Sequence, residues 1–226
     1  MLPKRSVRLA KPEVASPSKL NMQCDSGLLG WLKVPFLYNA FQAAVGATTL
    51  RRRLIEHHVR AKPGDKVIDI GCGSAPALQW LPEVEYIGLD INPDCIALAQ
   101  RTYGSRGTFI VGNPQSVRGD SRFKAADIVI AIGVLHHLDD EEAAHCIQFA
   151  YDALKEKGRF VCHEPSWIPN QGAFSKYIMS SDRGRNIRTE QQYCQLAAKA
   201  FKRVDTLVDM KPLRIPYVTI VLECEK

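Results

Sequence analysis

The run Val67-Ile68-Asp69-Ile70-Gly71-Cys72-Gly73-Ser74-Ala75-Pro76 limits the fold of this chain more than any other stretch. β-Favouring apolar residues surround one acid, and two glycines separated by a single residue follow at once, which reads as a buried strand entering a tight turn. Glycine has no Cβ, so the main chain there can take positive φ and a ligand can approach the backbone. Ala77-Leu78-Gln79-Trp80-Leu81 can then begin a short helix whose free N–H groups face the same gap. A strand, glycine turn and helix in that order suit a nucleotide-like ligand. The dinucleotide pattern G-x-G-x-x-G would need a third glycine where Pro76 stands, so a pyrophosphate cradle is not expected.

The alternation continues downstream. Residues 85–89 read as a second strand, and Asn92-Pro93 as the cap and first residue of a helix ending near Tyr103-Gly104. Residues 108–111, 126–132 and 158–163 give strands three to five. A helix over 139–154 separates the last two, with Asp139 and Glu142 in a capping-box relation. Another helix is expected over 189–201. Strands over 204–209 and 215–224 follow, joined by a short turn at Lys211-Pro212 that makes them antiparallel. The fold class is therefore α/β, with a doubly wound, mostly parallel seven-stranded sheet and an antiparallel last strand.

The 226 residues, 46% hydrophobic, can bury a full core. Residues 1–25, with Pro3, Pro12 and Pro17 among Ser and Lys, are expected to be a flexible leader to a single domain over 26–226. Within it, 26–60 form an N-terminal helical cap, with helices near 35–45 and 48–59, and 165–188 form an insertion after the fifth strand. The net charge of +6 is uneven: residues 1–66 hold twelve basic against four acidic residues, leaving 18 against 20 for the rest. The basic arm reads as a solvated tail, and a nucleic-acid partner is not expected. Seven scattered cysteines without a Cys-x-x-Cys pair argue against a disulfide framework or zinc knuckle, and no metal site is expected. No run has the length of a membrane span and no signal core opens the chain, so a cytoplasmic protein is expected, monomeric or homodimeric.

Asp69 with Gly71-Cys72-Gly73, followed by Asp90 at the end of the next apolar run, resembles the first two motifs of class I S-adenosylmethionine-dependent methyltransferases of the small-molecule type. The resemblance covers about residues 36–224. Asp90 lies 19 positions after Gly71, close to the spacing of a ribose-binding acid. The family pattern implies S-adenosyl-L-methionine as cofactor, held by Asp69, Gly71, Cys72, Gly73, Asp90, Ile91, Asn113, Ile132, Gly133 and Tyr38. Asp69 belongs near the amino end of the cofactor or, read plainly, bonds the adjacent loop backbone. Asn113 stands where many members carry an acid toward adenine, and its carbonyl can accept from the exocyclic amine.

After the fourth strand come Gly133-Val134-Leu135-His136-His137-Leu138, similar to small-molecule members in which a histidine reaches the active-site mouth. His137, His136 and Glu164 are the candidates for a general base, the histidines having a packed strut as their plainer role. Asp182, Arg183 and Arg188 in the insertion are candidates for substrate binding, the arginines by bidentate hydrogen bonds; a solvated loop is the alternative. The expected reaction is methyl transfer to oxygen or nitrogen of a small-molecule acceptor, such as a sugar or secondary-metabolite intermediate. The alternatives are an RNA or protein methyltransferase docking through the basic arm, and a cofactor-binding protein without catalysis.

Overall fold

In the computed structural model the structure describes residues 46–181 and 184–226, all within one compact unit, Ala40–Lys226. The leader, the helix expected over 35–45, Tyr38, Asp182 and Arg183 lie outside the described residues.

The strands are β1 (Lys66–Ile70), β2 (Glu85–Asp90), β3 (Thr108–Val111), β4 (Ala126–Ile132), β5 (Leu154–Trp167), β6 (Arg188–Thr189), β7 (Arg203–Asp209) and β8 (Thr219–Glu225). They form one sheet in the order β3-β2-β1-β4-β5-β8-β7, with the two-residue β6 pairing the end of β5. β1 to β5 run parallel, and β8 alone opposes its neighbours β5 and β7. The seven expected strands are all present, and β6 is the one the sequence did not announce. The order reverses between β1 and β4, and in such sheets ligands bind beyond the carboxyl ends at that reversal.

The helices are α1 (Ala47–Leu54, continued by a π-helical turn, Ile55–Val59), α2 (Pro93–Tyr103), α3 (Asp140–Ala153), α4 (Ala173–Ser180) and α5 (Glu190–Ala197). Their starts follow local chemistry. Asn92 Oδ1 accepts from the N–H groups of Asp94 and Cys95 at the head of α2, and the Asp139–Glu142 and Thr189–Gln192 capping boxes open α3 and α5. On one face of the sheet Leu135, Cys146, Ile147, Tyr193 and Phe201 pack on Ile70, Ala131, Phe160 and Leu222. On the other, Leu54, Ile55, Val59 and Leu78 pack on Val67, Ile130, Val161 and Val221. Both faces are thus closed by apolar contact, as near-continuous apolar strands require.

Three expected boundaries shift. β5 is longer than 158–163, because Leu154 pairs with Ala126 across a bulge and Ser166 and Trp167 pair with β6. α5 ends at Ala197 rather than near 201, the chain closing with short bonds such as Ala200 N–H to Ala197 O. β8 begins at Thr219 rather than 215: Pro216 has no N–H to donate, and the Tyr217 N–H turns back to Ile215 O. Among the described residues no helix is long and apolar enough to cross a membrane, and the described cysteines are all free thiols.

Candidate functional site

The turn after β1 is built by its neighbours. Gly71 has φ +69°, and a Cβ there would come within 2.5 Å of Val134 Cγ2, so glycine lets the β1 turn and the β4 turn touch. The N–H groups of Gly71 and Cys72 both reach Leu89 O, at 2.7 and 3.1 Å. Gly73 has φ +55° and nothing within 4 Å of where a Cβ would be, which leaves its surface open to a ligand. Cys72 points the other way. Its side chain is buried against Gly88, where a Cβ would meet Cys72 Sγ at 2.7 Å, and burial pushes the thiol well above its ordinary range. Of the residues expected at the cofactor, Cys72 therefore offers its main chain only.

Asp90 closes β2 and ties this turn down. Its Oδ2 accepts from the Gly73 N–H at 2.8 Å and its Oδ1 from the Asn92 N–H at 2.8 Å. A carboxylate oxygen has more than one acceptor position, so both oxygens keep capacity for ribose hydroxyls. Beside it Ile91 is 55% exposed, and Val111, the register partner of Asp90 on β3, is 53% exposed. Two apolar side chains left open at adjacent strand ends make a ledge suited to a flat base. Val111 was not picked out in the sequence, because a strand-end valine looks like core; its place one strand over from Asp90, the expected ribose acid, was the available signal.

Asn113 is held in a turn of its own. Its Oδ1 already accepts from the Ser116 N–H at 2.8 Å, while the Asn113 N–H donates to Ser116 Oγ at 2.9 Å. The carbonyl expected at the adenine amine is thus anchored in a local turn, with one acceptor position and the amide N–H₂ left to a ligand.

Among the described residues, the hydrogen bond that Asp69 makes is to a side chain rather than to the adjacent loop backbone. Asp69 is buried and accepts from the Tyr86 hydroxyl at 2.7 Å. Burial raises its pKa to about 7 against the pull of that hydrogen bond, with Asp90 adding to the rise and Arg51 of α1 opposing it.

The segment after β4 is fixed by two side chains of opposite charge. Glu164 on β5 is fully buried; its Oε1 accepts from the N–H groups of Val134 and Leu135 at 2.9 and 2.8 Å. Its Oε2 accepts from the His136 N–H at 3.2 Å and meets His136 Nδ1 at 2.6 Å. Burial alone would raise the Glu164 carboxyl, but His136 and the backbone donors outweigh it and hold it below the usual range. From the carbonyl side, Arg188 Nη1 donates to Leu135 O and Nη2 to Leu138 O, both at 2.8 Å, while Nε reaches Asp140 at 2.9 Å.

Two sequence expectations change as a result. Glu164 has both oxygens committed and acts by positioning His136, not by meeting an acceptor. Arg188 is 4% exposed with its guanidinium spent on the turn, so it is unavailable to a substrate anion. His136 is itself buried, His137 is exposed, and their rings lie 4.0 Å apart. Gly133, at φ +70°, and Ile132 deliver this turn from β4 opposite Gly71.

His163 on β5 was not singled out. No described residue hydrogen-bonds its buried Nε2, and burial lowers its pKa to about 4, with Glu164 opposing and Arg51 and His58 adding to the fall. Among the described residues no group of three His, Cys, Asp or Glu is placed to hold a metal ion.

Known proteins bear on this arrangement. A family model described as a methyltransferase domain matches residues 68–160, the span from β1 into β5. Geranyl diphosphate 2-C-methyltransferase of Streptomyces lasalocidi is 24% identical over 176 residues, which are 73% of this chain and 56% of that relative. The chain thus spans little more than half the length of that curated relative. A geranyl diphosphate C-methyltransferase from Streptomyces coelicolor A3(2), solved with Mg2+, geranyl-S-thiolodiphosphate and S-adenosyl-L-homocysteine, superposes with a TM-score of 0.61 at 15% identity, over 79% of this chain and 75% of that one. A chain from the complex of the Haloferax volcanii Trm112 methyltransferase activator with a putative methyltransferase gives 0.66 at 16% identity, over 87% and 97%. The superpositions show a similar overall fold, and the matched residues contain the glycine turn and its acid. Residues 68–160 thus match a methyltransferase domain, and in fold the chain resembles the class I, Rossmann-like S-adenosylmethionine-dependent methyltransferases.

Proposed function

We propose that this protein transfers the methyl group of S-adenosylmethionine to an oxygen or nitrogen of a small molecule. The observation that carries the reading is the meeting of two turns at the sheet reversal, an open one at Gly73 held by Asp90 and a clamped one at Gly133–Leu138. The open Gly73 surface, the spare acceptor positions of Asp90 and the Ile91–Val111 ledge suit a nucleoside carrying a flexible tail. When bound, S-adenosylmethionine supplies a methyl group already activated on a sulfonium.

The protein's share of the work is alignment, and placing two reactants correctly can contribute on the order of 7–11 kcal/mol. Glu164 holds His136 Nδ1 as a donor, so a proton accepted by His136 goes to Nε2. His137, exposed beside it, is the second candidate for taking a proton from the acceptor. On the sequence resemblance alone, Tyr38 is added as a cofactor residue and Asp182 and Arg183 as acceptor residues.

The test is release of S-adenosyl-L-homocysteine from methyl-labelled cofactor with a panel of small alcohols, phenols and amines. Label appearing in an alkali-stable ether or amine supports the reading. A second reading, methyl transfer to carbon of a prenyl diphosphate, has the curated relative behind it. It is opposed by the commitment of Arg188 to the turn, which leaves that guanidinium unavailable to a diphosphate. Label entering geranyl diphosphate but no alcohol or amine would favour it.

A further inference from the structure

Two buried side-chain polar atoms among the described residues have no hydrogen-bond partner, His163 Nε2 and Thr219 Oγ1. They are neighbours by register. On the antiparallel β5–β8 pair His163 faces Val221 and Pro165 faces Thr219, so His163 and Thr219 occupy diagonal positions. Diagonal pairs on one face lie about 7–8 Å apart between Cα atoms, within reach of a shared contact. The common face follows from alternation. Val161 and Val221 pack with α1, so His163, two residues past Val161, and Thr219, two before Val221, look to the same side.

The pair is also at the ligand end of the sheet. His163 pairs with Ile132, the last residue of β4, and its carbonyl accepts from the Gly133 N–H, the first residue of the clamped turn. In the register Ile70–Ala131–Cys162, His163 stands one residue further, level with Gly71 and two strands away. Strand spacing near 4.8 Å puts it roughly 10 Å from the glycine turn, on the side of β5 and away from the Asp90 ledge.

An unpartnered buried donor or acceptor is unfavourable, so two of them on diagonal positions at the ligand end of the sheet need a physical reason. One group with both donor and acceptor capacity, set between them at hydrogen-bond distance, would satisfy both. That group is uncharged: burial holds the imidazole neutral, a hydroxyl carries no charge, and the titratable groups that act on His163, namely Glu164 on the opposite face with Arg51, His58 and Asp209, do not supply the atoms left open.

We infer that His163 and Thr219 form the subsite that binds a neutral hydroxyl of the methyl acceptor. This rests on the methyltransferase reading above and adds to it the polarity of the acceptor and the strands that recognise it. His163 and Thr219 hold the acceptor, while the cofactor is held at β1 to β3.

The full-length protein tests this without knowledge of the natural acceptor. Thr219→Val replaces the hydroxyl by a methyl of the same shape. If Oγ1 is unpartnered in the ligand-free protein, the melting temperature rises by about 2–4 °C. A fall instead, which a fixed buried water or a hidden protein partner would cause, overturns the inference. In parallel, histidine-labelled protein saturated with S-adenosyl-L-homocysteine is titrated with phenol, cyclohexanol and benzoate, the His163 ring signals being assigned by their loss in His163→Gln. The expected result is saturable movement of those signals by phenol or cyclohexanol but not benzoate, weakened about tenfold in Thr219→Val and retained in Thr219→Ser. No movement with either alcohol, or equal movement with benzoate, overturns the subsite. S-adenosyl-L-homocysteine affinity should stay within about twofold in Thr219→Val; a tenfold loss would assign the pair to the cofactor and overturn the acceptor role. Failure of the wild-type protein to bind S-adenosyl-L-homocysteine would count against the methyltransferase reading itself, separately from the stability and alcohol results.

Discussion

Replacing Glu164 by glutamine tests the clamp that shapes the candidate active site. The carboxylate receives four N–H groups, three from the consecutive backbone of Val134, Leu135 and His136 and one from His136 Nδ1. Glutamine keeps one oxygen, so two of those four hydrogen bonds to a carboxylate are lost in either amide orientation. In one the Val134 and Leu135 N–H groups face a donor; in the other the His136 N–H does, and Nδ1 must change tautomer. Losing two hydrogen bonds to a charged acceptor costs about 3–6 kcal/mol, and removing a fully buried charge offsets part of that, leaving roughly 2–4 kcal/mol. For a domain of this size the melting temperature should drop by roughly 5–15 °C.

Urea denaturation from pH 7.5 down to pH 3.5 is the assay. The folded pKa of Glu164 is depressed, so its contribution is fully present above the unfolded value near 4.3 and is lost as pH falls through the folded value. The gap between wild type and Glu164→Gln should therefore be constant above about pH 5 and close in acid. A variant within about 0.5 kcal/mol of wild type at pH 7.5 would refute the clamp.

Asp69→Asn keeps an acceptor for Tyr86 and removes a carboxyl whose pKa burial raises to about 7. Because the folded group holds its proton longer than the unfolded one, wild-type stability should decline between about pH 4 and 7, and the variant should be flatter and more stable at pH 8 by on the order of 1–4 kcal/mol. Denaturation at pH 5 and pH 8 checks both. Gly88→Ala should lose about 1–3 kcal/mol through its clash with Cys72, and Cys72→Ala in the same chain should recover much of it, as a double-mutant cycle would read. Arg188→Lys should not substitute for arginine: one ammonium cannot span Leu135 O, Leu138 O and Asp140, so methyl transfer should fall at least about tenfold while the cofactor still binds.

The elements that the sequence announced are those whose signal is local. Asn92-Pro93, Asp139 with Glu142, and Thr189 with Gln192 cap helices by chemistry confined to four residues, and all three appear in the structure. The strands before Gly71 and Gly133 are continuous apolar runs, and burial on both faces leaves them no other use. Glu164 and Arg188 were misassigned because a charged residue near a site reads the same in sequence whether it meets a ligand or holds a turn. Only the fold brings Val134–His136 to Glu164, some thirty positions apart, and Leu135 to Arg188. His163 and Thr219 were invisible for a related reason: an unfilled hydrogen bond is a property of the surroundings, not of the residue.

The proposed function requires Asp90 to bind the cofactor ribose beside the glycine turn. Calorimetry of S-adenosyl-L-homocysteine with Asp90→Ala addresses it directly, with the melting curve as a check on folding. Loss of two hydrogen bonds to a carboxylate predicts an affinity weaker by about 100-fold. An affinity within about twofold of wild type would contradict the account, since Asp90 would then serve only the backbone of Gly73 and Asn92.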